Sequence, residues 1–242
     1  MEVWKFLVTA ETLRMTEVIA HRGAHLHARE NTLAAFRDAV ALGVDGVELD
    51  VRKILDGALV VHHDPTIGPW AIAHTDARDL PSYVPTLEEA LEALEGVAVN
   101  VEIKNLKHPK EPTYDESGTF VREVLDLVHA KRRNSSVVLS CFDLASCTHA
   151  RTYDPAMYVG WLVRKGSLFE ALERAHALRL SAVNPHFTMV TPASQLRASE
   201  LDMSLNVWTV NEPKDIAAMV ALGVASIITD QPALALELLG RG

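Results

Sequence analysis

The chain has 242 residues, 48% of them hydrophobic, with 23 Lys and Arg against 32 Asp and Glu and a formal net charge of −9. That length and apolar fraction exclude a disordered chain and supply enough side chains for a large core. The acidic balance excludes a broad nucleic-acid footprint, which needs clustered Lys and Arg.

In chain order, the start Met1-Glu2-Val3-Trp4-Lys5 brings an acid at once and no long apolar run. It reads as neither a signal peptide nor a membrane span, so a soluble, cytoplasmic protein without stable membrane insertion is expected. Residues 1–14 are expected to be an extension ahead of a single domain over 15–242. The eight β-rich runs of that domain are Val18–Ala20, Gly46–Val51, Val97–Ile103, Val137–Leu139, Met157–Val163, Ser181–Val183, Leu205–Val210 and Ser226–Ile228. Between them lie helical spacings of apolar residues, such as Leu33, Phe36, Ala39 and Val40, or Val121, Val124, Leu125 and Val128. Thr86-x-x-Glu89 has the capping-box pattern, and Pro192 and Pro213 suit a first helical turn. Gly43, Gly96 and Gly223 fall where helices should stop. Eight runs alternating with helices predict a (β/α)₈ TIM barrel. The runner-up, a doubly wound open sheet, lacks its glycine-rich phosphate loop after the first strand. Asp56-Gly57 between apolar stretches predicts a hairpin after the second strand, and residues 65–85 read as a loop; together 56–85 form a short insertion. Cys141 and Cys147 are too few for a zinc module and read as buried free thiols.

A barrel places chemistry at the C-terminal ends of its strands. There the sequence puts His21-Arg22, Glu48 and Asp50, Glu102 and Lys104, Cys141-Phe142-Asp143, Asn184-Pro185-His186, Thr209 with Asn211, and Thr229-Asp230. The period-2 rule sends Glu48 and Asp50 to one face and Val47, Leu49 and Val51 to the other. Three converging carboxylates are costly without positive charge, and a hard divalent cation is the natural partner, since Lys104 neutralises one charge only. His21 and His63 can divide acid and base duties, and Arg22 can fork onto an anionic oxygen. This set suits a phosphate ester. His25, His27, His62 and His74 read as surface or loop residues, with His25 and His27 bordering the site; Trp208 reads either as a substrate contact or as core.

The chain resembles the glycerophosphodiester phosphodiesterase family. The matching elements are His21-Arg22-Gly23-Ala24, Glu30-Asn31-Thr32, Glu48-Leu49-Asp50, His63-Asp64, Pro85-Thr86-Leu87-Glu88-Glu89, Glu102-Ile103-Lys104, Trp208-Thr209-Val210-Asn211 and Thr229-Asp230-Gln231-Pro232. They occur in family order from Val18 onward. The resemblance implies a barrel that hydrolyses small glycerophosphodiesters to sn-glycerol 3-phosphate and an alcohol. It implies Glu48, Asp50 and Glu102 as ligands of one Ca²⁺ or Mg²⁺, His21 and His63 as the acid–base pair, and Arg22 and Lys104 on the phosphate. His186 and Trp208 are assigned to the substrate pocket. Alternatives are a lysophospholipase D or sphingomyelinase D relative acting on lipids, and a non-catalytic phosphate-binding barrel. Three departures stand out: Arg29 in place of proline, expected to alter the rim near the phosphate; Cys141 in place of serine, expected as a weaker donor at the mouth; and a shortened insertion, expected to open the site.

Overall fold

The computed structural model describes residues 16–107, 113–131 and 136–242; the expected extension over residues 1–14 lies outside the described residues. The first element, β1 (Glu17–His21), is followed by α1 (Leu33–Leu42), β2 (Gly46–Lys53) and the hairpin strand β3 (Leu59–Val61). A small ribbon of β4 (Thr66–Ile67) and β5 (Trp70–Ala71) precedes α2 (Leu87–Ala93). The chain then alternates strictly: β6 (Ala98–Ile103), α3 (Thr119–Lys131), β7 (Val137–Cys141), α4 (Leu144–Tyr153), β8 (Tyr158–Val163), α5 (Leu168–Ala177) and β9 (Ala182–Pro185). It ends with α6 (Pro192–Glu200), β10 (Ser204–Val207), α7 (Pro213–Leu222), β11 (Ser226–Thr229) and α8 (Pro232–Leu238).

Eight of these strands are parallel and run in the order β1-β2-β6-β7-β8-β9-β10-β11. β1 pairs with both β2 and β11, which closes the barrel. The (β/α)₈ barrel expected from the rhythm of the chain is therefore the fold. The helix signals also hold. Thr86 and Glu89 form a reciprocal capping box, Pro192 and Pro213 begin their helices, and Gly43 and Gly223 close α1 and α7 in the left-handed conformation.

The main core lies between the strands and the helix ring. Val47, Leu49, Val51, Val101 and Leu139 point outward from the barrel to meet Phe36, Leu87, Leu91 and Leu125. Full burial of each such side chain contributes about 1.5–3 kcal/mol. The barrel interior is more polar than the branched aliphatic packing usual for this architecture. Asn206 Nδ2 donates to Asn184 Oδ1 at 3.0 Å, and Ser226 Oγ donates to Asn206 Oδ1 at 2.9 Å. These bonds tie three neighbouring strands from the inside.

The hairpin forms where Asp56-Gly57 predicts it: β3 runs antiparallel to the far end of β2, with Val51 opposite Val61. Gly57 takes a φ of 89°, open to glycine at little cost, while Asp56 Oδ1 accepts from the Ala58 amide at 3.1 Å. Residues 65–85 are more ordered than a plain loop. They hold the β4–β5 ribbon and two 3₁₀ turns, because Ile72 is buried against Ile54 and Val60 in a small second core.

At the foot of the barrel, burial and the nearby Asp45 push Glu17 up to about 7, against the lowering pull of Arg241. Asp45 meanwhile accepts from the Val18 amide and pairs with the Arg241 guanidinium at 2.7 and 2.8 Å. An acid raised on folding resists ionisation in the native state, so its drag on stability sets in above its unfolded pKa and is complete above about 7. Glu17→Gln should therefore raise Tm over wild type at pH 8 and match it near pH 4; equal melting curves at both pH values would refute the assignment.

Candidate active site

The mouth of the barrel is built from the C-terminal ends of the strands. Glu48 and Asp50 on β2 and Glu102 on β6 project to one face, as the alternation requires, and all three are buried. The register aligns Asp50 with Glu102 on adjacent strands. One oxygen from each of the three carboxylates lies within 4.8 Å of the others. Lys104 Nζ donates to Glu102 Oε1 at 2.7 Å and lies 3.2 Å from Asp50 Oδ1, and Arg22 Nε lies 3.2 Å from Asp50 Oδ2. Two cations against three carboxylates leave one negative charge uncompensated.

The protonation states divide along these contacts. Burial opposes ionisation of Asp50, yet Lys104 and Arg22 hold it well below the usual carboxylate range. Burial first, then Asp50 and Glu102, push Glu48 well above that range. Burial alone would also weaken Lys104 as a base, but Glu102 and Asp50 reverse this and raise it. Glu48 Oε1 is buried and has no hydrogen-bond partner among the described residues. An orphaned buried carboxylate oxygen, beside two further carboxylates, fits an oxygen-ligated divalent cation.

The loop after β1 brings the remaining groups in. Arg22 sits at φ 56° and Gly23 at φ 85°. A Cβ on Gly23 would stand 2.8 Å from the backbone carbonyl of Ala35, so the first turn of α1 packs directly on this loop. The turn aims the Arg22 amide at Glu48 Oε2, 3.1 Å away, and its side chain at Glu30, 2.9 Å away. Asn31 Nδ2 donates to Asp50 Oδ2 at 2.7 Å and fixes that carboxylate.

His21 faces two ways. Its Nε2 lies 3.9 Å from Glu48 Oε2, and its Nδ1 lies 2.6 Å from Asp230 Oδ1 at the end of β11. Asp230 in turn accepts from Asn211 Nδ2 at 2.7 Å. Despite the cost of burial, bonds from His21 and His25 hold Asp230 well below the usual range. With Nδ1 engaged by a carboxylate, Nε2 is the nitrogen left to exchange protons over the site.

His63 arrives on the hairpin. Its carbonyl accepts from Arg52 Nε and Nη2 at 3.0 and 2.6 Å, and the neighbouring His62 amide donates to the Asp50 carbonyl at 2.9 Å. Its Nδ1 lies 2.8 Å from Asp64 Oδ1. Burial lowers its proton affinity, partly opposed by the charge of Asp50.

The structure thus gathers His21, Arg22, Glu48, Asp50, His63, Glu102 and Lys104 on the β11-β1-β2-β6 side of the mouth. His186 and Trp208 form a different group on the β7–β10 side. Trp208 meets Phe142 and His186 edge-to-face, with ring centres 5.4 and 5.3 Å apart, and its Nε1 donates to the Asn184 carbonyl. The Arg164 guanidinium stands 5.4 Å from the centre of the Trp208 ring. Trp208 is half-buried at the rim.

Sequence reasoning missed several partners. His25 is no bystander, because its Nε2 lies 3.1 Å from Asp230 Oδ1. Asn31, Asp230 and Asn211 carry contacts that their motifs marked but could not pair, and Arg52, which lies in none of the motifs, binds the His63 carbonyl. One expected departure is corrected, and another gains a contact. Cys141 is buried, its thiol donates to the Ile103 carbonyl at 3.1 Å and burial pushes it up to about 12, so it is not a donor facing the mouth. Arg29 stacks on the Tyr83 ring at 4.1 Å and ties the rim to the insertion.

The pattern that defines the glycerophosphoryl diester phosphodiesterase family matches residues 21–234. A glycerophosphodiester phosphodiesterase from Caldanaerobacter subterraneus subsp. tengcongensis is 29% identical over 250 residues, covering 94% of this chain and 99% of its own. The crystal structure of a glycerophosphodiester phosphodiesterase from Parabacteroides distasonis superimposes with a TM-score of 0.83 at 25% identity, over 94% of this chain and 98% of the other. An Oleispira antarctica phosphodiesterase, solved in complex with the product sn-glycerol-3-phosphate, reaches the same TM-score of 0.83 at 21% identity, over 93% of this chain and 97% of its own. That last likeness is one of fold. Among the described residues no helix is long and apolar enough to cross a membrane.

Gly23→Ala should cost about 1–3 kcal/mol of stability, the usual scale for overpacking combined with a positive φ. It should also lower turnover by displacing His21 and Arg22. Denaturant midpoints and kcat measured on the same preparation check this; unchanged values of both would show that the turn tolerates a side chain.

Proposed function

The chain belongs to the glycerophosphoryl diester phosphodiesterase family, and from that premise we propose that it hydrolyses small glycerophosphodiesters to sn-glycerol 3-phosphate and an alcohol. The observation that carries this reading is the buried Glu48–Asp50–Glu102 cluster with His21 Nε2 3.9 Å from Glu48. The product assigned is the one bound in the Oleispira phosphodiesterase.

Glu48, Asp50 and Glu102 would hold one Ca²⁺ or Mg²⁺, consistent with the orphaned oxygen of Glu48 and the all-oxygen donor set. Such an ion, when bound, supplies Lewis-acid stabilisation of the charge that develops on phosphate oxygens. Arg22 and Lys104, which neutralise the carboxylates here, are the cations within reach of a phosphate, and Arg22 can offer it two parallel donors. His21 and His63 divide the two proton transfers. One takes the proton of the nucleophile, which is either the neighbouring glycerol hydroxyl or water, and the other gives a proton to the departing alcohol oxygen; the first route forms a cyclic phosphate that water must then open. Each has Nδ1 on a carboxylate, Asp230 for His21 and Asp64 for His63, which leaves Nε2 of each ring for the substrate. The aromatic wall of Phe142, His186 and Trp208 bounds the opposite side and is assigned to the organic part of the diester.

A second reading, a lysophospholipase D-like enzyme, is favoured by one observation. Leu26 and Leu106 stand exposed on the loops after β1 and β6, and Trp70 stands exposed on the β4–β5 ribbon, apolar surface of the kind an acyl chain would use.

A coupled assay for glycerol 3-phosphate across glycerophosphodiesters and lysolipids separates the readings. Release from small diesters that EDTA abolishes and Ca²⁺ or Mg²⁺ restores is the expected result, and activity indifferent to chelation would contradict the metal assignment. Faster turnover of lysolipids would favour the second reading. His21→Ala and His63→Ala should each lower kcat by about 10²–10⁴-fold, the scale of acid–base catalysis. Near-normal turnover in both would remove the acid–base assignment.

A further inference from the structure

His21 and His25 lie on one short loop and turn a ring nitrogen to the same oxygen. His21 Nδ1 lies 2.6 Å and His25 Nε2 lies 3.1 Å from Asp230 Oδ1. The three donor atoms all lie within 4.8 Å of one another. We propose that this trio is a second cation site, suited to Zn²⁺, and that its occupation inhibits the enzyme. The inhibitory half rests on the acid–base reading of His21.

The donor chemistry separates this site from the first. Glu48, Asp50 and Glu102 offer oxygen alone, which suits hard cations. His21, His25 and Asp230 offer two imidazole nitrogens and one carboxylate oxygen, the ligand set of open zinc sites, in which water fills the remaining position. The two spacings to Asp230 are also close to what zinc needs. Tetrahedral zinc with bonds of about 2.0–2.1 Å holds its donors about 3.3 Å apart, so the two gaps need to widen by less than about 1 Å.

An outer layer of bonds is already in place. Asp230 Oδ2 accepts from Asn211 Nδ2 at 2.7 Å, and Asn211 Oδ1 accepts from the Asp230 amide at 2.9 Å and from Thr229 Oγ1 at 3.1 Å. These contacts hold the carboxylate with Oδ1 toward both imidazoles, the support that metal ligands need from their neighbours. The trio is open to solvent at the mouth, since its side chains are 17%, 23% and 27% exposed.

Binding there reaches the chemistry through one ring. His21 presents Nε2 to Glu48 and Nδ1 to the trio. Zinc takes the lone pair of Nδ1, so the ring proton shared with Asp230 moves to Nε2 and the imidazole stays neutral. Nε2 then carries a proton and can no longer accept one, and turnover falls.

The test is calorimetric titration of chelator-treated, dialysed protein with zinc chloride, run beside turnover of the Mg²⁺-loaded enzyme with added zinc. Zinc should bind both wild type and the Glu48→Gln/Glu102→Gln double variant. His25→Ala should weaken it about tenfold or more, the scale on which lost ligand support acts. His25→Asn, which keeps a polar group beside Asp230, should do the same and guards against misfolding of the alanine variant. Zinc inhibition, read in each variant relative to its own zinc-free rate, should be relieved in parallel with binding. Equal zinc affinity in the His25 variants, or binding lost in the double variant alone, overturns the site. Binding that follows His25 without slowing turnover upholds the site and overturns the inhibition. Absence of glycerol 3-phosphate release from wild type removes the proposed function, and the calorimetry still decides the site.

Discussion

The arrangement of the mouth follows from one electrostatic constraint: three carboxylates are buried within a few ångströms of one another. Strand register makes this unavoidable, because β2 and β6 run in parallel with Asp50 beside Glu102, and Glu48 lies two residues earlier on the same face. Such a cluster is tolerable only with compensation. Lys104 from the end of β6 and Arg22 from the β1 loop provide part of it, and a proton on Glu48 or a divalent cation provides the rest. The left-handed turn at Arg22-Gly23 and the close packing of α1 on Gly23 both serve to deliver that guanidinium.

The two histidines proposed for the proton transfers are held by different means, and the difference reflects where each sits. His21 ends a barrel strand, so its backbone is fixed by the fold and only the ring needs orienting; Asp230, locked by Asn211, does this. His63 lies on a hairpin outside the barrel wall. Its backbone must be tethered first, and Arg52 grips its carbonyl with two donors. A buried arginine on the strand next to the site thus acts on the hairpin, while Asp64 orients the ring from the solvent side.

The mouth is divided by charge. Its β11-β1-β2-β6 half holds the carboxylates, the two cations and both histidines, a polar region able to handle a phosphate. Its β7–β10 half presents Phe142, His186 and Trp208, with Arg164 over the aromatic faces. A diester has a matching asymmetry, with an anionic centre and organic arms. The insertion between β3 and α2 borders the first half and is stapled to it by Arg29 on Tyr83.

Sequence alone determined what periodicity and local chemistry can encode. The alternation of β-rich runs and amphipathic helices specified the barrel. The Asp56-Gly57 turn specified the hairpin, and the two-residue period put Glu48 and Asp50 on one face. Those signals survive because each depends on neighbours a few residues away. The partners of the chemical groups did not share that advantage. His21 and Asp230 are 209 residues apart, and only closure of β11 against β1 brings them together. Likewise, nothing local indicated that His25 would share that carboxylate, that Arg52 would hold His63, or that Cys141 would turn from the mouth to the Ile103 carbonyl. These are through-space choices, made when the barrel closes and each buried polar group must find a partner. The sequence supplied the donors and acceptors, and the tertiary structure decided which of them met.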